Sequence, residues 1–238
     1  MIISANLKTN FTRKQTSEYI TELDAFLSEN GISQDVLVFP TASALDRFEA
    51  KVEVGVQNAY ATLNGAFTGE IGLEQIEEFG IKTILIGHSE RRHILGETQE
   101  VIAEKFNFYK ELGFKIVYCV GEPKDIREAG KDTMMEYISK QYDGIDTTYE
   151  NLIIAYEPVW AIGTGLVPTL EDIKDIHSEL KTKSKAPLLY GGSVKANNAK
   201  DILGVENVDG VLVGSAALKI DDFKSMITDA QNLNKEDR

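Results

Sequence analysis

Cysteine is almost missing from this chain: 238 residues hold one, Cys119. A single thiol cannot close an internal disulfide, and a thiolate metal cluster needs several, so a reducing, cytoplasmic setting is expected. No apolar run approaches the roughly 20 residues of a membrane-spanning helix. Basic residues are outnumbered, 25 Lys and Arg against 38 Asp and Glu, for a net charge of −13. That balance repels nucleic acid and anionic membrane surfaces at long range, so neither is expected as a partner. A small phosphorylated ligand is compatible with it where the site is locally positive. Linkers, low-complexity tracts, like-charge runs and internal repeats are also missing. So are the glycine fingerprints of dinucleotide-binding folds and P-loops: Gly163-Thr164-Gly165 has no third glycine and runs into Pro168.

What is present is enough apolar material for a sizeable core, 42% of the residues. The length is generous for an ordinary domain and normal for an α/β barrel. Eight short strand-like runs recur, at residues 2–5, 36–39, 52–57, 83–86, 115–119, 152–156, 188–190 and 210–213. Helical spacing separates them, clearest in Tyr19, Ile20, Leu23, Phe26 and Leu27 and in Ile102, Lys105, Phe106, Tyr109 and Leu112. Thr169 with Asp172 has the form of a capping box ahead of Ile173, Ile176 and Leu180. Residues 45–48 and 197–203 are assigned as helices by position alone. Strict alternation of strand and helix predicts a closed, eight-stranded parallel (β/α)8 barrel, a single catalytic domain over residues 1–238. The reactive residues fit that fold. Asn6 and Lys8 follow the first run, Gln57 and Asn58 the third, His88 the fourth, Glu122 the fifth and Glu157 the sixth. Gly191-Gly192-Ser193 follows the seventh and Gly214-Ser215 the eighth. All lie at strand C-terminal ends, the face on which barrel enzymes place their chemistry.

The sixth run ends on a carboxylate. Pro158 restricts Glu157 to extended backbone and fixes its own φ, so the acid is held in place where the strand stops. An apolar segment, Val159 to Ile162, leads into Gly-Thr-Gly: stiff at its start and permissive at its end, it reads as a lid over whatever Glu157 faces. A simple glycine-containing turn is the alternative. Glu157 is the candidate base. His88 stands immediately before a helix start, where the dipole favours the neutral ring, a hydrogen-bond donor to a substrate oxygen. The alternative, a histidine that only caps a turn, is adopted for His93 and His177, which fall on helix faces.

Several motifs taken together carry a resemblance. Ile86-Gly87-His88-Ser89-Glu90-Arg91-Arg92, Tyr156-Glu157-Pro158-Val159-Trp160-Ala161-Ile162-Gly163-Thr164-Gly165, Asn6-Leu7-Lys8 and Tyr190-Gly191-Gly192-Ser193-Val194 closely resemble the triosephosphate isomerase family. Cys119-Val120-Gly121-Glu122 and Arg127-Glu128-Ala129-Gly130 also match, so the resemblance runs from Ala5 to Leu218. It implies interconversion of dihydroxyacetone phosphate and glyceraldehyde 3-phosphate through an enediolate, in glycolysis and gluconeogenesis, with no cofactor and no metal. Glu157 would be the base, neutral His88 the electrophile, and Lys8 with Asn6 the oxyanion stabilisers; this Glu and neutral-His pairing is the family's known one. The resemblance implies that Asn6, Lys8, Gly163, Ser193, Gly214 and Ser215 bind substrate and phosphate, with Ser89, Glu90 and Cys119 in support. Glu90 would sustain Lys8, Glu122 would hold Trp160 in the open lid, and Cys119 would be a buried thiol near Glu157. Arg91 and Arg92 are expected in structural ion pairs.

The lid implied is Pro158-Val159-Trp160-Ala161-Ile162-Gly163-Thr164-Gly165-Leu166-Val167-Pro168. In most relatives the tyrosine of the Tyr-Gly-Gly-Ser turn accepts a hydrogen bond from the hinge at the position held here by Pro168, which has no N–H; closure would rely on Ser193 and Gly165 instead. The segment Gly65-Ala66-Phe67-Thr68-Gly69-Glu70 is too long and apolar for a plain connection and by resemblance docks into the second subunit of a homodimer, with Thr68 beside the neighbour's Asn6 and Lys8. A loop folded on its own barrel is the alternative. Departures from the pattern are Ala5, Leu7, the Leu166-Val167-Pro168 hinge, and Ser215 in place of a glycine, whose N–H serves only if its φ suits a side chain. Another phosphate-binding barrel isomerase would lack the Lys8, His88 and Glu157 set, and an idle barrel kept for binding would have lost part of it.

Overall fold

The computed structural model describes residues 1–162, 166 and 168–236. The strands are β1 (Ile2–Asn6), β2 (Asp35–Phe39), β3 (Glu53–Val54), β4 (Thr83–Ile86), β5 (Lys115–Val120), β6 (Leu152–Tyr156), β7 (Leu188–Tyr190) and β8 (Gly210–Val213). The helices are α1 (Arg13–Glu29), α2 (Leu73–Glu77), α3 (Ser89–His93), α4 (Gln99–Glu111), α5 (Lys124–Glu128), α6 (Lys131–Lys140), α7 (Leu170–Lys183), α8 (Ala199–Leu203) and α9 (Ile220–Glu236). All the strand pairs are parallel, in the order β3-β2-β1-β8-β7-β6-β5-β4. The ring closes at a single bridge, Val56 with Ile84, where Val56 N–H donates to Thr83 O and Leu85 N–H to Val56 O, each at 2.9 Å.

Alternation along the strands divides the apolar residues between two cores, because successive side chains point to opposite faces. Leu37, Phe39, Leu85, Val117, Cys119, Ile153, Ala155, Leu189 and Leu212 fill the barrel. Their neighbours, such as Val36, Val38, Ile116, Tyr118, Ile154 and Tyr156, point outward into the larger core beneath the helices. The helices begin where the sequence offers caps. Thr12 and Gln15 form a capping box on α1, which buries Tyr19, Ile20, Leu23 and Leu27; Thr169 and Asp172 do the same for α7.

Two expectations need correction. Residues 45–48 are irregular and not helical: a 3₁₀ turn, Ala42–Ala44, precedes them, and Leu45 has extended backbone. The third run shortens from residues 52–57 to Glu53–Val54 plus the bridge at Val56, with Gly55 between them; a Cβ there would meet the Phe39 ring at 2.4 Å, so the chain passes where no side chain fits. The helix expected at 197–203 spans Ala199–Leu203. No helix among the described residues is long and apolar enough to cross a membrane.

Candidate active site

A cavity of about 770 Å³ opens at the C-terminal ends of the strands, lined by Asn6, Lys8, His88, Glu157, Gly191, Gly192, Ser193, Gly214 and Ser215 among others. Glu157 is 2% exposed, and both its oxygens are engaged: Oε2 accepts from Ser89 N–H at 2.8 Å and Oε1 lies 3.0 Å from His88 Nε2. Glu90 N–H donates to His88 Nδ1 at 3.2 Å, so the proton of the neutral ring belongs on Nε2, facing the cavity. At the start of α3 the first N–H, that of Ser89, thus goes to Glu157 and the second, that of Glu90, to the His88 ring.

The electrostatics of this pair depend on their contact. Burial raises the Glu157 carboxyl pKa, yet the charge and hydrogen bond of His88, Ser89 N–H and Lys8 outweigh it and hold the acid below its ordinary value. Burial likewise lowers the His88 pKa, and the adjacent Glu157 carboxylate reverses that and leaves it raised. Cys119 lies beneath them, fully buried, with its thiol pKa raised well above the ordinary value by burial first and by Glu157 second, so it is protonated.

Lys8 has φ 51°, a conformation that costs a side-chain-bearing residue strain and is held here by its neighbours. Its N–H donates to Asn6 Oδ1 at 3.0 Å, its carbonyl accepts from Gln57 Nε2 at 2.8 Å, and its ammonium meets Glu90 Oε1 at 2.5 Å. Gln57 also donates to Phe39 O at 2.8 Å, so it fixes the Lys8 turn against β2; its place after the third run was legible, its role was not. Ser215 opens a 3₁₀ turn without a positive φ, so a side chain is tolerated there. Gly192 is different: a Cβ there would lie 2.2 Å from the Tyr190 hydroxyl.

Of the lid, Pro158 to Ile162, Leu166 and Pro168 are described; the expectations for Gly163, Thr164, Gly165 and Val167, including the Gly163 phosphate donor, lie outside the described residues. Trp160 Nε1 donates to Glu122 Oε1 at 2.9 Å, and the Arg127 guanidinium stands over its ring at 5.7 Å. Burial raises the Glu122 carboxyl pKa despite the Trp160 and Tyr156 donors. The Ser193 hydroxyl donates to Ala161 O. Arg91 pairs with Glu97 at 2.6 Å as expected, whereas Arg92 makes no ion pair among the described residues. Instead it binds Gly87 O, Cys119 O, Gln99 and the Tyr118 hydroxyl. Gln141, whose buried side chain grips Gly121 behind Glu157, is the other site-building residue that sequence reasoning missed.

A buried strand-end carboxylate against a cavity-facing imidazole, with a lysine alongside and glycine-rich turns across the mouth, defines a barrel enzyme of the acid–base isomerase class. The sequence model of the triosephosphate isomerase family matches residues 1–230. The triosephosphate isomerase of Sulfurimonas denitrificans is 67% identical over 238 residues, covering 100% of this chain and 99% of that protein. Those of Sulfurovum sp. and Nitratiruptor sp. are 53% and 51% identical, covering 95% and 98% of this chain and 99% and 100% of their own. The chain belongs to the triosephosphate isomerase family.

Proposed function

We propose that this chain, as one catalytic domain, interconverts dihydroxyacetone phosphate and glyceraldehyde 3-phosphate without a cofactor, with Glu157 as base, His88 as electrophile and Lys8 and Asn6 at the oxyanion. The observation that carries the assignment is the pairing of buried Glu157 with the cavity-facing Nε2 of His88 at 3.0 Å. On substrate binding Glu157 leaves Ser89 N–H and His88 and takes a proton from the carbon next to the carbonyl. His88 Nε2–H and the Lys8 ammonium meet the carbonyl oxygen as it becomes an enediolate oxygen. His88 Nε2–H gives its proton to that oxygen and takes up the hydroxyl proton of the neighbouring one, while Glu157, now protonated, returns its proton to the neighbouring carbon, so the isomerisation ends with no net proton change. The N–H groups of Ser193, Gly214 and Ser215, with Gly163 in the lid, hold the phosphate, and soluble substrates fit a cytoplasmic location. A coupled spectrophotometric assay tests this: rapid conversion of dihydroxyacetone phosphate in the presence of a chelator is expected, and a chain inert in both directions refutes it.

Assembly as a homodimer is part of the proposal. Leu63, Phe67, Ile94 and Leu95 are 55%, 42%, 76% and 64% exposed, apolar side chains that a second subunit would cover. Phe67 rests on the Tyr60 ring at 4.4 Å, so the loop is ordered on its own barrel while its outer face stays open. The Lys8–Glu90 pair beside the cavity is also partly open, at 25% and 42%. Thr68→Arg places an unpaired charge in the contact and is expected to split the dimer with loss of activity; sedimentation of an active wild-type monomer refutes the assembly.

A further inference from the structure

The strand ends carrying Glu157 and His88 are tied together by a polar network that the chemistry above does not use. On one side β5 outruns its neighbour: β4 turns away at Gly87, φ 76°. Gly121, one residue past β5, has no strand to pair with on that side. Gln141, one residue past α6, supplies both partners. Its Nε2 donates to Gly121 O at 2.8 Å and its Oε1 accepts from Gly121 N–H at 2.8 Å, so a side-chain amide imitates one rung of a sheet. On the other side the same segment meets the base directly. Glu157 N–H donates to Val120 O at 2.7 Å and Val159 N–H to Glu122 O at 3.1 Å. A Cβ on Gly121 would stand 1.8 Å from the Glu157 carbonyl oxygen. The backbone of the base is therefore clamped to residues 120–122, and these are clamped to Gln141.

Gln141 is itself fixed from the histidine side. Its carbonyl accepts from the Tyr118 hydroxyl and from Gln99 Nε2, the latter at 2.9 Å. Arg92 Nη1 donates to Gln99 Oε1 at 2.8 Å, and Arg92 Nε to Gly87 O at 2.7 Å. One chain of hydrogen bonds thus runs from the peptide before His88 to the peptide before Glu157. We infer that Gln141 is a positioning residue for the general base, which sets through Gly121 the point from which Glu157 reaches the substrate. The inference rests on the assignment of Glu157 as base. Gln141 is buried and does not line the cavity, so it acts only through the backbone it holds.

Gln141→Met keeps the length and volume of the side chain and removes both bonds. The measurement is kcat and KM per folded protein, with Ki for glycerol 3-phosphate, which carries the phosphate but no carbonyl. A misplacement of about 1 Å at the base costs on the order of 10²-fold, so kcat is expected to fall by roughly 10- to 100-fold. KM and Ki are expected to stay within about twofold, because the phosphate donors lie on other strands. A purely structural residue would lower the melting temperature and leave kcat per folded site alone. Gln141→Asn, one methylene short, keeps an amide that can reach one of the two groups and is expected to show the same split with a smaller loss. A folded Gln141→Met with parental kcat, a loss confined to KM and Ki, or failure of both variants to fold would each overturn the inference. An inactive parent would instead overturn the assignment of the reaction.

Discussion

Lys8 and His88 are held in constrained positions from which the proposed reaction uses them. The lysine is held at φ 51° by Asn6 and Gln57, and the histidine tautomer is fixed by Glu90 N–H. Each is a preorganised donor, and removing one such donor costs about 10²–10³-fold in turnover, the loss expected for Lys8→Ala and His88→Gln in the coupled assay. The Lys8 change should also weaken phosphate-bearing inhibitors, while parental turnover and unchanged inhibition in both variants would remove these residues from the site. These positions were legible because each combines a chemically distinctive type with a strand end. Gln141 was not, and of Gln57 only the place was: a glutamine follows no hydrophobic period, and its partners are backbone groups brought close only by the fold. The strained φ of Lys8 was equally invisible, since nothing in Asn-Leu-Lys demands it.

Among the elements, the lid shows most plainly what the local sequence controls. Its leading end is stapled by Trp160 to Glu122 and by Ser193 to Ala161 O. At its trailing end Pro168 offers no N–H, and the buried Tyr190 hydroxyl has no hydrogen-bond partner among the described residues. Removing an unpartnered hydroxyl is nearly neutral, so Tyr190→Phe is expected to be mild. Ser193→Ala, which removes the hydroxyl expected to meet the lid on closure, is expected to lower turnover several-fold and to release more enediolate to phosphate elimination. Turnover and methylglyoxal yield decide this; a severe Tyr190→Phe beside a harmless Ser193→Ala contradicts it. The capping boxes of α1 and α7 form as their Thr and Gln or Asp spacing dictates. The helix placed at residues 45–48 by position alone did not form, because Leu45 is buried from extended backbone and needs no helix to reach the core.

For the molecule as a whole, the barrel was legible in the eightfold alternation and in where the polar residues fell; only β3 resisted, thinned by Gly55 to two paired residues and one bridge. Stability carries its own signature. His177, read as structural, is fully buried between Tyr156 and Tyr190, with Nδ1 3.0 Å from Asn207 O, and burial lowers its pKa from 6.5 to about 4. The folded pKa lies below the unfolded one, so the unfolded chain takes up a proton first as pH falls. Stability is therefore lost between pH 6.5 and about 4, at up to about 1.4 kcal/mol per pH unit. Denaturant midpoints across that window should fall less steeply in His177→Phe than in the parent; parallel curves would contradict it. In the proposed reaction Glu157, held at the end of β6, moves the proton. Glu157→Asp draws the carboxylate back by one methylene and leaves the phosphate donors untouched. Its kcat is expected to fall on the order of 10²-fold with inhibitor binding preserved, and turnover near the parental value would contradict the account.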